Sequence, residues 1–229
     1  MSQYLCLIIY YMKIGIAAAT SFEIQPTINF LLQLNAAQQP HEFLLLITGI
    51  GSLASAYNLT HFITRQSPDY MIQAGIGGCF TNTLSRGETV LVKEEILGDL
   101  GAEENNLFID MFDMGLMEPS VKPYTDRRLV NPYITDWKKY GLPLATGITV
   151  NEITTQPSRI SILKQKYHAE IESMEGGAFH YVCLQENIPF IQFRSVSNYV
   201  GERNKNSWKL KESIENLNNT LIKILQQIP

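Results

Sequence analysis

The sequence is poor in the residues that build metal centres, disulfide frameworks and polyanion-binding surfaces. Its three cysteines, Cys6, Cys79 and Cys183, are odd in number, far apart and not in metal-binding spacing, which fits a reducing, cytoplasmic setting. The four histidines, His41, His61, His168 and His180, form no pair of the HxxxH kind, so no metal site is expected. Basic residues do not outnumber acidic ones: 18 Lys and Arg stand against 22 Asp and Glu, for a net charge of −4 and a pI near 5.6. With no basic stripe, neither nucleic acid nor an anionic membrane is an expected partner. Long apolar runs are missing too. The stretch 5–11 is apolar but too short to span a bilayer, and it lacks the basic start and small-residue cleavage site of a signal peptide. Met12-Lys13-Ile14-Gly15-Ile16-Ala17 reads as a fresh start into a buried strand. Residues 1–11 are therefore expected to be a dispensable extension, and 12–229 a single domain.

What is present is enough for a substantial core, with 45% hydrophobic residues over 229 positions. Short apolar runs predict strands over 14–18, 43–48, 69–74, 88–93, 142–150 and 188–196. Between them, helices are predicted over 20–34, 52–64, 157–167 and 174–186, with an amphipathic one over 209–227 that sets Leu210, Ile214, Leu217, Leu221 and Ile224 on one face. This alternation predicts an α/β domain with a largely parallel sheet. Residues 98–124 break the pattern. Their Phe108, Met111, Phe112, Met114, Leu116 and Met117 form either a satellite core or an adaptable apolar surface, in what reads as a binding loop, lid or interface.

Several short motifs fall just past predicted strands. Gly49-Ile50-Gly51-Ser52-Leu53-Ala54 has the G-x-G-x-x-A form of a dinucleotide turn, but the next strand does not end in an acid. Its glycines are read as bringing backbone close to a small ligand or a neighbouring element, and no cofactor is expected. Thr20-Ser21-Phe22-Glu23 matches a helix capping box, so Glu23 reads either as a cap or as a functional carboxylate. Gly75-Ile76-Gly77-Gly78 reads as a break after the third strand, where backbone can approach a ligand. Ser173-Met174-Glu175 precedes a small-residue helix start, with Ser173 as the expected N-cap and Glu175 in the first turn. Asn198 follows the last strand, in Arg194-Ser195-Val196-Ser197-Asn198-Tyr199. Each has an ordinary structural explanation, but in a parallel sheet their positions converge on one edge, where open α/β folds bind ligands.

These motifs, together with Gly98-Asp99-Leu100-Gly101-Ala102-Glu103, resemble the purine nucleoside phosphorylase and nucleosidase superfamily over nearly everything from Met12 onward. The similarity is greatest to the methylthioadenosine/adenosylhomocysteine nucleosidases and, within that branch, to the futalosine hydrolases of menaquinone biosynthesis. The resemblance implies a three-layer α/β sandwich around a central mixed, largely parallel sheet, a homodimer or higher homo-oligomer, and a purine nucleoside as substrate. It implies that Glu23 activates water, that Met174 packs on the ribose, that Glu175 takes the 2′ and 3′ hydroxyls, and that Gly75, Ile76, Ser173 and Asn198 line the base pocket.

Asn198 stands where adenine-releasing relatives carry an aspartate. An amide can donate to a 6-oxo group and accept from N7–H, which suits hypoxanthine better than adenine. Phosphorylases cradle phosphate with arginines beside the glycine-rich turns, and residues 75–78 have no basic neighbour in sequence before Arg86. Water is therefore the expected nucleophile. A methylthioadenosine or adenosylhomocysteine nucleosidase, and a nucleoside-binding module without turnover, are the alternatives.

Overall fold

The computed structural model describes residues 11–35, 40–80, 83–105 and 107–228; the expected extension, apart from Tyr11, lies outside them. Ten strands follow in chain order: β1 Lys13–Ala18, β2 Glu42–Ile47, β3 Tyr70–Cys79, β4 Thr89–Leu97, β5 Gly101–Glu104, β6 Leu107–Asp110, β7 Leu129–Val130, β8 Leu144–Thr149, β9 Ile171–Ser173 and β10 Phe190–Tyr199. The helices are α1 Ser21–Asn35, α2 Ser52–Gln66, α3 Pro157–Tyr167, α4 Gly176–Gln185 and α5 Leu210–Leu225.

Eight strands form one mixed sheet, in the order β2-β1-β3-β10-β4-β8-β9, with β7 on β4. Strands β1, β2, β3 and β10 run parallel; β4 is antiparallel to β10, and β8 and β9 follow the direction of β4. Because β9 also pairs with the end of β3, strands β3, β10, β4, β8 and β9 close into a ring. The hairpin β5–β6 stands apart from the sheet.

Two helical layers cover the sheet. Ile14, Ile16, Ile72, Ile191 and Phe193 pack with Ile24 and Leu31 of α1 and Leu217, Leu221 and Ile224 of α5. On the other face Ala17, Met71 and Phe190 pack with Leu59 and Ile63 of α2 and Phe179, Val182 and Cys183 of α4. Burial on both faces explains why these strands read as continuous apolar runs. Residues 98–124 divide between the two expectations: Met111 and Tyr124 join a small core with Leu129, while Met114 and Leu116 are exposed.

Among the boundaries that differ from expectation, two matter most for the site. Residues 75–78 do not break β3. The strand continues to Cys79 because β10 pairs with it along its whole length, from Met71↔Phe190 to Cys79↔Tyr199. Asn198 likewise lies inside β10, just past a bulge at Ser197, where it is paired with Gly78. Strand β1 pairs with β3 only as far as Gln73, so the remainder of β3 overhangs the carboxyl edge of β1.

Candidate active site

The overhang of β3 is where the predicted residues gather. Helix α1 is kinked at Ile24, whose φ of −125° is not helical, and Pro26 begins the straight part. The kink turns Glu23 toward β3. Glu23 Oε1 accepts the Ile76 N–H at 3.1 Å, while Oε2 accepts from Thr20 N and Oγ1, both at 3.2 Å. Glu23 therefore serves as half of a capping box and is also anchored to the glycine-rich strand; the two readings are compatible. Sequence reasoning missed Asn218 of α5, which is fully buried against the kink. It accepts from Thr27 N and Oγ1 and donates to the Glu23 carbonyl at 2.9 Å, so the groups freed by the bend are paired.

Strand β9 runs antiparallel to β3 with Glu172 opposite Gly78, so the chain leaves β9 alongside the overhang. Helix α4 begins at Gly176, and its N-cap position is Glu175, not the expected Ser173. Glu175 Oε1 accepts the Gly51 N–H at 2.9 Å, and Ser52 Oγ donates to the Met174 carbonyl at 3.3 Å. Gly49 and Gly51 have φ of +78° and +87°, conformations that favour glycine. Their close approach is to a neighbouring element, the Glu175 segment. Oε2 of Glu175 accepts no hydrogen bond among the described residues. Met174 is half-buried, and Ser173 is buried with Oγ 3.2 Å from the Gly176 nitrogen.

Asn198 Nδ2 donates to the Tyr199 carbonyl at 3.0 Å and Oδ1 lies 2.8 Å from Ser197 Oγ. The carbonyl demands a donor, which fixes the amide's orientation and leaves one N–H and one lone pair uncommitted. Arg194, fully buried on β10, corrects the expectation that residues 75–78 lack a basic neighbour: a Cβ on Gly75 would run into its Nη1 and would lie 3.2 Å from Glu23 Oε1. Pairing of Arg194 with Gly75 across two strands is invisible in linear spacing. Its Nη2 donates to Gln73 Oε1 at 3.0 Å. Arg86 is engaged elsewhere, with the Ser207 carbonyl and the Tyr199 ring.

Deeper in the ring, Glu95 of β4 accepts from Thr149 Oγ1 and Gln192 Nε2, both at 2.9 Å, and burial pushes its carboxyl up to about 7. His180 of α4 shares this interior. Its Nδ1 lies 2.9 Å from the Leu129 carbonyl, and burial lowers its pKa to about 4. A cavity of about 460 Å³ opens on the far side of β9, lined by Asp99, Phe108, Val150, Ile153, Thr154 and Arg159; Glu23, Glu175 and Asn198 do not line it. Among the described residues no three His, Cys, Asp or Glu side chains are grouped as metal ligands, and no helix is long and apolar enough to cross a membrane.

A family model, that of the phosphorylase superfamily, matches residues 13–228. The chain belongs to the phosphorylase superfamily. Within the superfamily, the chain is 30% identical over 187 residues to the futalosine hydrolase of Thermus thermophilus, covering 81% of this chain and 82% of that protein. It is 26% identical over 194 residues to the 5′-methylthioadenosine/S-adenosylhomocysteine nucleosidase of Bacillus cytotoxicus, covering 82% of each. The fold is that of the futalosine hydrolase of Helicobacter pylori, with a TM-score of 0.78 at 17% identity over 95% of this chain and 98% of the other. This superfamily member is an enzyme, a hydrolase of the nucleosidase kind.

Proposed function

We propose that the chain hydrolyses the N-glycosidic bond of futalosine, releasing hypoxanthine and dehypoxanthinylfutalosine, as a cytoplasmic step of menaquinone biosynthesis. The observation that carries this reading is the Asn198 amide, held by Ser197 and Tyr199 with one N–H and one lone pair free. That pair matches the O6 acceptor and N7–H donor of hypoxanthine as it departs, with the N7 proton delivered by water because an amide has none to give. The similarity to the Thermus thermophilus futalosine hydrolase supports the same substrate.

Cleavage builds positive charge on the ribose and negative charge on the purine. Glu23, fixed through both oxygens to backbone N–H groups, would take a proton from the attacking water. Glu175, with Oε2 uncommitted, would hold the ribose 2′ and 3′ hydroxyls, and Met174 would pack on the sugar. Gly75, Ile76 and Ser173 would line the pocket. Arg194 is buried and bonded to Gln73, and Arg86 is bonded to Ser207, which favours water over phosphate as nucleophile. No step needs a cofactor.

A second copy of the chain is the proposed macromolecular partner. Ile50 in the turn that holds Glu175, Leu53 and Tyr57 in the first two turns of α2, exposed at 65%, 87% and 69%, and the half-exposed Leu45 and Ile47 on edge strand β2 are the apolar residues available to it.

The methylthioadenosine reading is supported by the Bacillus cytotoxicus relative. Incubation with futalosine, inosine and methylthioadenosine, with and without phosphate, separates the two. Hypoxanthine released from futalosine at a phosphate-independent rate is the expected result. Adenine as the main product, or a phosphate requirement, would overturn it.

A further inference from the structure

The first turn of α4 is capped by side chains from two strands and not by Glu175, although Glu175 occupies the N-cap position. A helix start leaves N–H groups without intrahelical partners, and a carboxylate at that position is well placed to satisfy them. Here Ser173 Oγ, at the end of β9, takes the Gly176 N–H at 3.2 Å. Thr149 Oγ1, at the end of β8, takes the Gly177 N–H at 2.6 Å. The Glu175 carboxylate is left to meet Gly51 on the open side.

Thr149 is itself held from below. A hydroxyl has one proton, and a backbone N–H can only donate, so the Thr149 proton goes to Glu95 Oε2, 2.9 Å away. Glu95 Oε1 takes the Gln192 amide. Glu95 is 1% exposed and makes no ion pair among the described residues. Burying a carboxyl group on two neutral donors is costly, and an apolar side chain would fill the space without that cost. The surroundings are nevertheless shaped to admit it. A Cβ on Gly147 would sit 2.5 Å from Glu95 Oε1, and one on Gly176 would collide with the same oxygen and come within 2.5 Å of Gln192 Nε2. Gly147 and Gly176 therefore make room for Glu95, whose hydrogen-bonded link toward the candidate site runs through Thr149 to the turn behind Glu175.

We propose that Glu95, acting through Thr149, is a positioning residue for Glu175. It supplies the cap that α4 requires, so that the Glu175 carboxylate stays turned toward the open edge and is not drawn back onto its own helix. The proposal rests on the ribose-binding role given to Glu175 above.

Thr149→Val removes the hydroxyl at nearly constant volume, and Glu95→Gln keeps an acceptor for Thr149 while its amide can donate to Gln192 Oε1. In Thr149→Val, the Gly176 and Gly177 amides should exchange with deuterium at least about tenfold faster, with the second half of α4 unchanged. The same variant should lose about ten- to hundredfold in kcat/KM on a nucleoside bearing its 2′-hydroxyl, mostly through KM, and less than about threefold on the 2′-deoxy analogue. Glu95→Leu, which removes the acceptor of the Thr149 proton, should move both readouts in the same direction as Thr149→Val. Glu95→Gln, which keeps that acceptor, should recover most of the loss; a Glu95→Leu variant with wild-type readouts would overturn the proposal. A loss equal on both substrates, or unchanged amide exchange in Thr149→Val, would overturn the proposal. Exchange is read without substrate, so a protein inactive on every nucleoside would sink the functional reading and leave the exchange arm to decide this one.

Discussion

Glu23, at the start of α1, and Glu95, on β4, are both buried carboxylates, at 8% and 1% exposure, yet they are held by different sets of donors. At the overhang of β3, Glu23 and Glu175 accept mainly from backbone N–H groups of Ile76, Thr20 and Gly51, with the Thr20 hydroxyl the one side-chain donor among the described residues. Inside the ring, Glu95 is met by the side chains of Thr149 and Gln192. Backbone donors fix a carboxylate's direction without covering it, so its remaining lone pairs can serve a ligand. Side-chain donors enclose it, and enclosure shows in its proton affinity: burial raises Glu95 to about 7. On the proposed function, the edge set meets the substrate. The interior set can act only through the structure above it.

If that division is right, the largest effect of any conservative change belongs to Glu23. Glu23→Gln preserves size and one of the two acceptor positions, so folding and melting temperature should change little. Turnover should fall by roughly 10²–10⁴, the usual worth of a general base. Steady-state kinetics beside a melting curve make the check; near-normal turnover would reduce Glu23 to the cap of α1.

The interior set should reveal itself in stability instead. The folded Glu95 carboxyl, raised to about 7 from an ordinary 4.5, holds a proton between those values that the unfolded chain has released. Its stabilising contribution is complete below pH 4.5 and is lost as pH rises through 7. His180 runs the other way. Its pKa falls from 6.5 to about 4, so its contribution is complete above 6.5 and is lost as pH drops through 4. Displacements of this size are each worth ~3 kcal/mol, and over pH 4.5–6.5 they oppose one another. Glu95→Gln should unmask a rise of ~3 kcal/mol in unfolding free energy between pH 4 and 6.5, and His180→Asn a comparable fall between 4.5 and 7. Denaturant titrations across that range measure both slopes. Variants as flat as the wild type would mean that the interior is wetter than its burial implies.

The same contrast explains how much was legible in the sequence. Apolar runs buried on both faces announce β1, β8 and the first half of β3, an apolar run half-exposed at the sheet edge announces β2, and the 157–167 helix matches to the residue. The overhang was not legible. Glycine is a poor strand former, so residues 75–78 looked like a turn; pairing with β10 on one side and β9 at the end overrides that preference. The glycines are explained by what occupies their missing side-chain positions: Arg194 at Gly75 and the Glu172 carbonyl at Gly77, with a tighter than usual approach of Val200 at Gly78. Similarly, Glu94 and Glu95 hid the second half of β4, because a strand carrying two acids does not read as buried until Arg128 and Thr149 are seen beside them. Glu23, Glu175 and Asn198 could be picked out because they sit next to strand ends. Arg194 and Glu95 act between strands and Asn218 between two helices of one layer, and no local spacing records that.

The finest test of the edge set is its choice of base, and the variant is Asn198→Asp. In the wild type, Nδ2 donates to Tyr199 and Oδ1 is met by Ser197, leaving one donor and one acceptor. A carboxylate at this position has no donor for the 6-oxo group of hypoxanthine and sets two desolvated oxygens against each other. Toward adenine the carboxylate gains the 6-amino group as a donor partner, and the protonated acid can give its proton to N7. A mismatched pair of buried hydrogen-bonding groups costs roughly 1–3 kcal/mol, equivalent to about a 5- to 150-fold change in preference. The effect is thus smaller than that of Glu23→Gln and more specific, since it should appear as a change of ratio and not as a general loss. The measurement is kcat/KM for wild type and variant on a 6-oxo and a 6-amino nucleoside sharing one sugar. A preference that moves toward the 6-amino substrate assigns base reading to the end of β10. A ratio that stays put while both rates fall would make Asn198 a strand-end residue bonded to its neighbours, and the contrast between an edge that reads a ligand and an interior that supports it would then rest on Glu23 and Glu175 alone.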